Sequence, residues 1–138
     1  MRLDDLVCFF ETLTPQSLER FPEFYAGDAW FKDPFNEVRG VEAIRRIFEH
    51  MFRQVENPRF VVTERLGEAD RAMLVWEFRF SRRGTPQVIR GASHLRFDAE
   101  DRVIMHRDYW DTAEELYMTL PVIGWLMRRL RKALSASE

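Results

Sequence analysis

Two short segments of this sequence carry the residue types that move protons. Asp33 lies two residues after the aromatic pair Trp30-Phe31 and directly precedes a proline, and His106 is separated from Asp108 by a single residue. Alternate residues of a β-strand point to the same face of a sheet, so His106 and Asp108 would share one face. Carboxylates and an imidazole facing an apolar cavity suit general acid/base catalysis near neutral pH. The pattern therefore indicates Asp33, Asp108 and His106 as candidate catalytic residues.

Each candidate also has a purely structural explanation. An Asp that precedes Pro commonly forms an Asx turn, in which its carboxylate accepts hydrogen bonds from nearby backbone amides. His106 and Asp108 could instead face solvent or a partner subunit. The buried residues of that segment would then be Val103, Met105 and Tyr109. The alternation fits both orientations, so the sequence leaves these alternatives open.

Other kinds of chemical site are not indicated. The three histidines lack the spacing of metal ligands, the glycines are isolated, and no serine lies in a nucleophile elbow. The single cysteine, Cys8, excludes an intrachain disulfide, and its apolar neighbours predict a buried structural thiol. We therefore expect neither a metal nor a cofactor.

Composition limits the classes of partner. The 138 residues suit one domain with a sizeable core, and the formal net charge of -2 leaves no basic excess to neutralise nucleic-acid phosphates. Charged residues occur where a signal peptide needs an apolar run, and the apolar stretches are shorter than a membrane span. We expect a cytoplasmic protein that binds neither nucleic acid nor a membrane. Its aromatic content of 14% suits either a dense core or an apolar pocket.

The elements that must position the candidates follow two periodicities along the chain. Apolar residues at helical spacing predict helices over Leu3–Leu13, over Ser17–Phe24 and from Gly40 to near Asn57. From Phe60 the period becomes two, which predicts strands joined by turns at residues 82–86 and 98–101. This order indicates an α+β fold in which N-terminal helices pack on the concave face of a cone-shaped, curved, mostly antiparallel sheet.

The C-terminal segment differs from the rest of the chain. Thr112 and Glu115 form a capping-box pattern, and after Pro121 apolar residues recur along one side of a helix that ends near Leu134. Four basic residues crowd the end of this helix. Such a helix can lie on an anionic membrane, but it more often packs on its own domain. We predict that residues 112–138 form a helical extension packed on a single domain of residues 1–111.

One region of the chain resembles the ketosteroid isomerases. It comprises Tyr25-Ala26-Gly27-Asp28-Ala29 followed by Asp33-Pro34, and in those enzymes an Asp-Pro carries the general base. The segment from His94 to Trp110 also matches without a gap. By this resemblance the chain is identified as a member of the superfamily named for nuclear transport factor 2, with the SnoaL-type polyketide cyclases and limonene epoxide hydrolase.

The resemblance implies a site as well as a fold. It implies an apolar pocket inside the cone and a homodimer formed through the convex face of the sheet. The pocket residues that it adds to the three catalytic candidates are Phe9, Tyr25, Phe48, Trp76, Phe78, Ser93 and Trp110. The predicted dimer face carries Val75, Glu77, Arg79, Arg90, His94 and Arg96, a mixed set typical of a wet interface.

Two departures from the isomerase pattern bear on the activity. The isomerases stabilise a dienolate with a Tyr hydroxyl and a neutral carboxylic acid, where this chain has Phe9 and Ser93. Loss of one such donor typically costs about 10²–10³ in rate, so efficient steroid isomerisation is not expected. His106 and Asp108 instead stand where the isomerases have apolar residues, and the SnoaL-type cyclases and the epoxide hydrolase use acids on their pocket walls.

Three function classes follow from these observations. The first is a small-molecule enzyme of the isomerase, cyclase or hydratase type, working without a cofactor on an apolar substrate with a carbonyl or epoxide group. The second is a module that binds a hydrophobic ligand without catalysis. The third is a protein-interaction domain, as in nuclear transport factor 2 itself.

Overall fold

A computed structural model describes residues 2–115 and 121–135 of the chain. Within these ranges a helical N-terminal part leads into a sheet, and two helices follow the sheet. In chain order the elements are α1 (Arg2–Glu11), a 3-10 helix (Ser17–Arg20), α2 (Phe21–Phe24), β1 (Tyr25–Lys32), β2 (Glu37–Arg39), α3 (Val41–Gln54), β3 (Glu56–Glu68), β4 (Arg71–Arg82), β5 (Thr85–Phe97), β6 (Val103–Tyr109), α4 (Thr112–Glu115) and α5 (Pro121–Leu134).

The six strands form one curved, open sheet in the order β2-β1-β6-β5-β4-β3. Every neighbouring pair is antiparallel except β1 and β6, which run parallel. The predicted α+β fold with a mostly antiparallel sheet is confirmed. The parallel pair places Phe31 of β1 opposite His106 of β6, so the two candidate segments lie side by side.

Irregular pairing bends the sheet towards the helices. The register shifts once between β1 and β6, twice between β3 and β4, and once between β5 and β6. Such β-bulges add local twist and bend to a strand. The resulting concave face receives α1 and α3, and the core lies between these helices and the sheet.

The hairpin between β4 and β5 is tighter than the predicted turn at residues 82–86. Arg82 still pairs with Thr85, so the loop has two residues, Arg83 and Gly84. Both have positive φ, 51° and 77°, as a type I′ turn requires. This turn twists in the same sense as the strands and extends both of them towards one rim of the cone.

Cys8 is exposed, so the predicted buried thiol is wrong. Its neighbours Leu6, Val7 and Phe10 face the core, but Cys8 shares the solvent side of α1 with Asp4. Positions four apart lie on one side of a helix, and that spacing decides the orientation of Cys8 more than its adjacent residues do.

Helix α4 begins one residue earlier than the capping pattern suggested. The carboxylate of Asp111, rather than the side chain of Thr112, accepts a hydrogen bond from the backbone N–H of Glu114 (3.1 Å) and so caps α4. Asp111 and Glu114 have the same three-residue spacing as the predicted pair.

Helix α5 begins at Pro121, a residue suited to the first position of a helix. Its described apolar side chains Trp125, Leu126, Leu130 and Leu134 are exposed. The side chains of Val122 and Ile123, also assigned to the apolar side, lie outside the described part, and the packing of residues 112–138 stays a prediction. In ranges 2–115 and 121–135, no helix has the length and hydropathy needed to cross a bilayer.

Candidate functional site

A cavity of about 430 Å³ opens between helix α3 and the concave face of the sheet. This volume lies within the usual range for small-molecule sites. Most of its inner wall is aromatic, and two carboxylates, those of Asp33 and Asp108, line it as well. Its apolar lining includes Phe31, Phe35, Ile47, Phe48, Met51, Val55, Phe60, Trp76, Phe78, Phe80, Ile89 and Trp110.

Strands β3 and β4 build the aromatic wall. Trp76, Phe78 and Phe80 alternate along β4 and therefore share its concave face, and Phe60 of β3 is paired with Phe78. The rings of Phe60 and Phe78 stack with centroids 4.8 Å apart, and those of Phe78 and Phe80 stack at 5.0 Å. The wall is thus a continuous row of rings that can hold a flat apolar molecule.

Trp76 lies flat over β5 because its partner there is Gly91. A Cβ atom on Gly91 would be 2.4 Å from Cη2 of the indole, closer than any stable contact. In this position the Trp76 Nε1–H donates a hydrogen bond to Oγ of Ser93 (2.8 Å). The glycine therefore lets an aromatic ring both line the cavity and hold a buried hydroxyl.

A chain of hydrogen bonds links Ser93, Asp108, His106 and Tyr25. The Ser93 hydroxyl, whose oxygen accepts from Trp76, donates to Oδ1 of Asp108 (2.5 Å). Nε2 of His106 lies 2.6 Å from the same oxygen, and Nδ1 of His106 lies 2.6 Å from the Tyr25 hydroxyl. Among the described residues, no hydrogen-bond donor contacts Oδ2 of Asp108. Asp108 is thus held through one oxygen while the other remains able to accept a proton.

Tyr25 determines the proton position on His106. Burial, followed by the negative charge of Asp108, raises the pKa of the Tyr25 hydroxyl well above its usual value. Tyr25 therefore keeps its proton and donates a hydrogen bond to Nδ1 of His106. The proton of the neutral imidazole is then on Nε2. That N–H then donates to Asp108. His106 is only 3% exposed and does not line the main cavity. It can influence a ligand there only through Asp108 or through a smaller inner chamber.

The inner chamber is a small space of about 30 Å³ behind the main cavity. Ser93, His106 and Asp108 form its polar side, and Phe10, Phe48 and Leu74 contribute to its apolar side. A volume of this size, with several polar groups, is enough for about one water molecule. Asp108 lines both spaces, so its carboxylate can contact a ligand in the main cavity and a water molecule in the inner chamber.

Asp33 faces the cavity and also forms the Asx turn that its sequence context suggested. Its Oδ1 accepts hydrogen bonds from the backbone N–H groups of Phe35 (2.8 Å) and Asn36 (2.6 Å). The Asn36 side-chain amide donates to it as well, at 3.1 Å from Oδ1. These bonds fix the β1–β2 loop, on which Phe35 packs edge-on against Trp110 at 5.6 Å. The carboxylate of Asp33 therefore accepts more hydrogen bonds, all from its own loop, than the carboxylate of Asp108 accepts from its neighbours.

The structure brings most of the predicted site residues together. Asp33, Asp108, Phe48, Trp76, Phe78 and Trp110 line the main cavity, and Ser93 and His106 line the inner chamber. Tyr25 lies behind His106 as its hydrogen-bond partner. Phe9 does not join them: its ring stacks on Phe24 at 4.5 Å, beneath the guanidinium of Arg20.

Several lining residues were not predicted although their periodicity marked them. Phe60 and Phe80 lie on strand faces shared with predicted residues, and Ile47 and Met51 lie on the apolar stripe of α3 with Phe48. The Tyr25–His106 bond carried no local signal because its partners are 81 residues apart in the sequence.

Known structures share this architecture at low sequence identity. A protein from Catenulispora acidiphila with a ketosteroid isomerase-like fold, solved with trimethylamine, is 20% identical with a TM-score of 0.71, and the match covers 89% of this chain and 95% of that one. A protein from Jannaschia sp. CCS1, proposed to be a SnoaL-like polyketide cyclase, is 13% identical with a TM-score of 0.71, covering 82% and 87%. A proposed isomerase of the SnoaL-like family from Agrobacterium tumefaciens is 15% identical with a TM-score of 0.65, covering 79% and 93%.

These structural similarities show a common fold, and a match to a sequence-family model shows the family to which the chain belongs. A search of curated proteins finds no match. The model of the SnoaL-like domain matches residues 7–106, which include the second half of α1, the sheet as far as His106 and most of the cavity wall. The chain therefore belongs to the SnoaL-like domain family, within the superfamily of nuclear transport factor 2-like folds.

Proposed function

We propose that this protein is a small-molecule enzyme of the isomerase, cyclase or hydratase type that moves a proton without a cofactor. The observation that carries the proposal is the environment of the Asp108 carboxylate beside the aromatic cavity. Its Oδ1 accepts hydrogen bonds from Ser93 and His106, and no donor among the described residues contacts its Oδ2. General bases in such positions contribute about 10²–10⁴ to the rate. The names of the structural neighbours from Jannaschia and Agrobacterium are of the same reaction classes.

Asp108 is the proposed proton acceptor. Its Oδ2 takes a proton from a carbon beside a carbonyl, or from water that attacks an epoxide, and returns it at the end of the reaction. His106 is a positioning residue that orients the carboxylate. Ser93 is a second positioning residue rather than an oxyanion donor, because its hydroxyl hydrogen is committed to Asp108. Asp33 is the second candidate acid, restrained by its Asx turn.

The proposal is tested by proton exchange at carbon. Bicyclic ketones such as 2-tetralone have an apolar body and acidic C–H groups beside the carbonyl, and deuterium uptake from heavy water is followed by NMR. Asp108→Asn removes the base and keeps the shape, so we expect catalysed exchange to fall by at least about 100-fold. The matched control is Asp101→Asn, in an exposed turn, which should exchange like the wild type.

Binding without catalysis is the alternative that this experiment separates. If ketones bind to the wild type but the wild-type protein accelerates neither exchange nor the opening of an apolar epoxide such as limonene oxide, the cavity is a ligand-binding site and the enzyme proposal is wrong. If Asp108→Asn exchanges as fast as the wild type, Asp108 is not the base, and Asp33→Asn becomes the next variant to measure.

We also propose a homodimer formed through the convex face of the sheet. Met73 and Val75 are each 40% exposed on that face of β4, next to the paired charges Glu77 and Arg79. An apolar centre with a charged rim is the usual composition of a protein interface.

A further inference from the structure

We propose that the ligand of the cavity is amphipathic: an apolar body lies along the aromatic wall, and an anionic group such as a carboxylate or phosphate binds at the cavity mouth between Arg46 and Arg82. The inference rests on the proposed function and deepens it, because it specifies the charge of the substrate and the direction in which it enters.

The mouth of the cavity is defined by the exposed members of its lining. Arg46, His50 and Gln54 follow one another at four-residue intervals along α3, so they form one row on the same side of the helix. Ile47 and Met51, half-buried, form the adjacent row on the cavity side. The helix thus changes from apolar to polar across its width, from the cavity wall to its opening.

Arg82 supplies a second cation at the mouth from a different element. It is the last residue of β4, at the tight hairpin, and it lines the same cavity as Arg46. Two guanidinium groups reaching one opening from a helix and from a strand can bind an anionic group from two sides. Guanidinium forms paired hydrogen bonds with carboxylate and phosphate oxygens.

Neighbouring arginines form salt bridges with carboxylates, whereas the mouth arginines Arg46 and Arg82 form none among the described residues. Arg45 and Arg53 both form salt bridges with Glu49 on the same helix. Among the described residues, neither mouth arginine has a salt-bridge or hydrogen-bond partner. Arg46 is close enough to Glu49 to help lower the pKa of that carboxyl, but the N–H groups of both mouth arginines can still donate to a ligand.

The charges inside the cavity determine the orientation of the ligand. Asp108 lies where the cavity meets the inner chamber, and beside it a second negative charge would be repelled and poorly solvated. An anionic group is therefore favoured at the mouth and disfavoured beside Asp108. The neutral, reactive end of the ligand enters first and reaches Oδ2, while the anionic end stays with the two arginines.

Two fluorescent probes with one apolar body separate the anionic site from the cavity itself. 8-Anilinonaphthalene-1-sulfonate carries a sulfonate, and N-phenyl-1-naphthylamine has the same rings without it. We expect Arg46→Gln with Arg82→Gln to weaken sulfonate-probe binding by about three- to tenfold, since exposed charge pairs are each worth a fewfold in affinity. The neutral probe should bind as it does to the wild type. Added NaCl should weaken only the sulfonate probe.

The controls match the charge change and test the place of binding. Arg59→Gln with Arg102→Gln removes the same two charges from exposed positions that belong neither to the cavity lining nor to the residues predicted for the dimer face, and it should leave both affinities unchanged. Met51→Trp puts an indole into the cavity and should weaken both probes. Retained binding of both probes in Met51→Trp would contradict binding in the cavity, and with it the inference.

The remaining outcomes distinguish failure of the inference from failure of the proposed function. A wild type that binds the neutral probe, with a sulfonate-probe affinity that does not depend on the mouth arginines, overturns the anionic site alone. A wild type that binds neither probe overturns both.

Discussion

At the scale of single residues, the Tyr25 hydroxyl controls the electrostatics of the site from behind it. It never lines the cavity, yet it fixes the tautomer of His106 and through it the orientation of Asp108. A buried donor of this kind is costly to remove, since the nitrogen that it served is left without a partner, at about 1–3 kcal/mol.

Tyr25→Phe gives the first prediction, a change in how stability depends on alkaline pH. Burial and the charge of Asp108 raise the pKa of Tyr25 well above its usual value of 10.0. The unfolded chain then releases this proton at a lower pH than the folded chain, so the free energy of unfolding falls as the pH rises above about 10. Urea unfolding at a series of pH values should show a weaker alkaline loss in Tyr25→Phe. Tyr109→Phe, at an exposed Tyr, is the control, and parallel profiles for wild type and Tyr25→Phe would contradict the prediction.

At the scale of elements, the contact between β4 and β5 depends on the missing side chain of Gly91. The second prediction is that Gly91→Ala displaces the Trp76 indole, breaks its hydrogen bond to Ser93 and lowers the free energy of unfolding by about 1–3 kcal/mol. Tryptophan fluorescence and urea unfolding measure the two effects. Gly27→Ala is the matched control, because nothing lies within 4 Å of its added Cβ. Equal stability of the two variants would mean that the indole moves aside at no cost.

Periodicity predicted the parts of the site that are set within one element. The alternation of β4 placed Trp76 and Phe78 on one face, and the two-residue spacing predicted that His106 and Asp108 share a face, which the structure shows to be the concave one. The sequence could not choose between the faces of β6, because the choice depends on the pairing of β6 with β1 and β5.

Features that depend on distant partners escaped the sequence. Phe9 was assigned to the pocket, but α1 turns this residue towards Phe21 and Phe24, and that rotation depends on how the helix packs. For Asp33 the structural and the functional interpretation are both correct: its carboxylate forms an Asx turn and also lines the cavity, because such a turn can form at a cavity rim. The register shift beside Val103 likewise has no signature in local composition.

The third prediction concerns helix α5. Its exposed apolar side chains would each gain about 1.5–3 kcal/mol on full burial, which favours docking on the domain or on a partner subunit. Removing residues 122–138 should therefore lower the melting temperature measured by circular dichroism. If melting is unchanged and the full chain binds vesicles containing anionic lipid, the helix is a membrane-surface helix instead.

At the scale of the whole molecule, the convex face and the cavity lie on opposite sides of one sheet, so a dimer would leave the mouth open. The fourth prediction is that light scattering gives the mass of a dimer at micromolar concentration. Val75→Glu, in the centre of the proposed interface, should give a monomer with an unchanged circular dichroism spectrum. A monomeric wild type would remove the dimer proposal.

The parallel contact between β1 and β6 has a consequence for the order of folding. Tyr25 and His106 are separated by 81 positions, and the chain between them builds α3, β3, β4 and β5 before β6 can dock. Contacts of such long sequence separation incur the loop-closure entropy of the whole intervening chain and tend to form late. The hairpins of β3, β4 and β5 can therefore assemble before the hydrogen bonds among Ser93, Asp108, His106 and Tyr25 have formed. We therefore expect these hydrogen bonds to form late in folding, and a chain that ends before β6 contains the aromatic wall without the base.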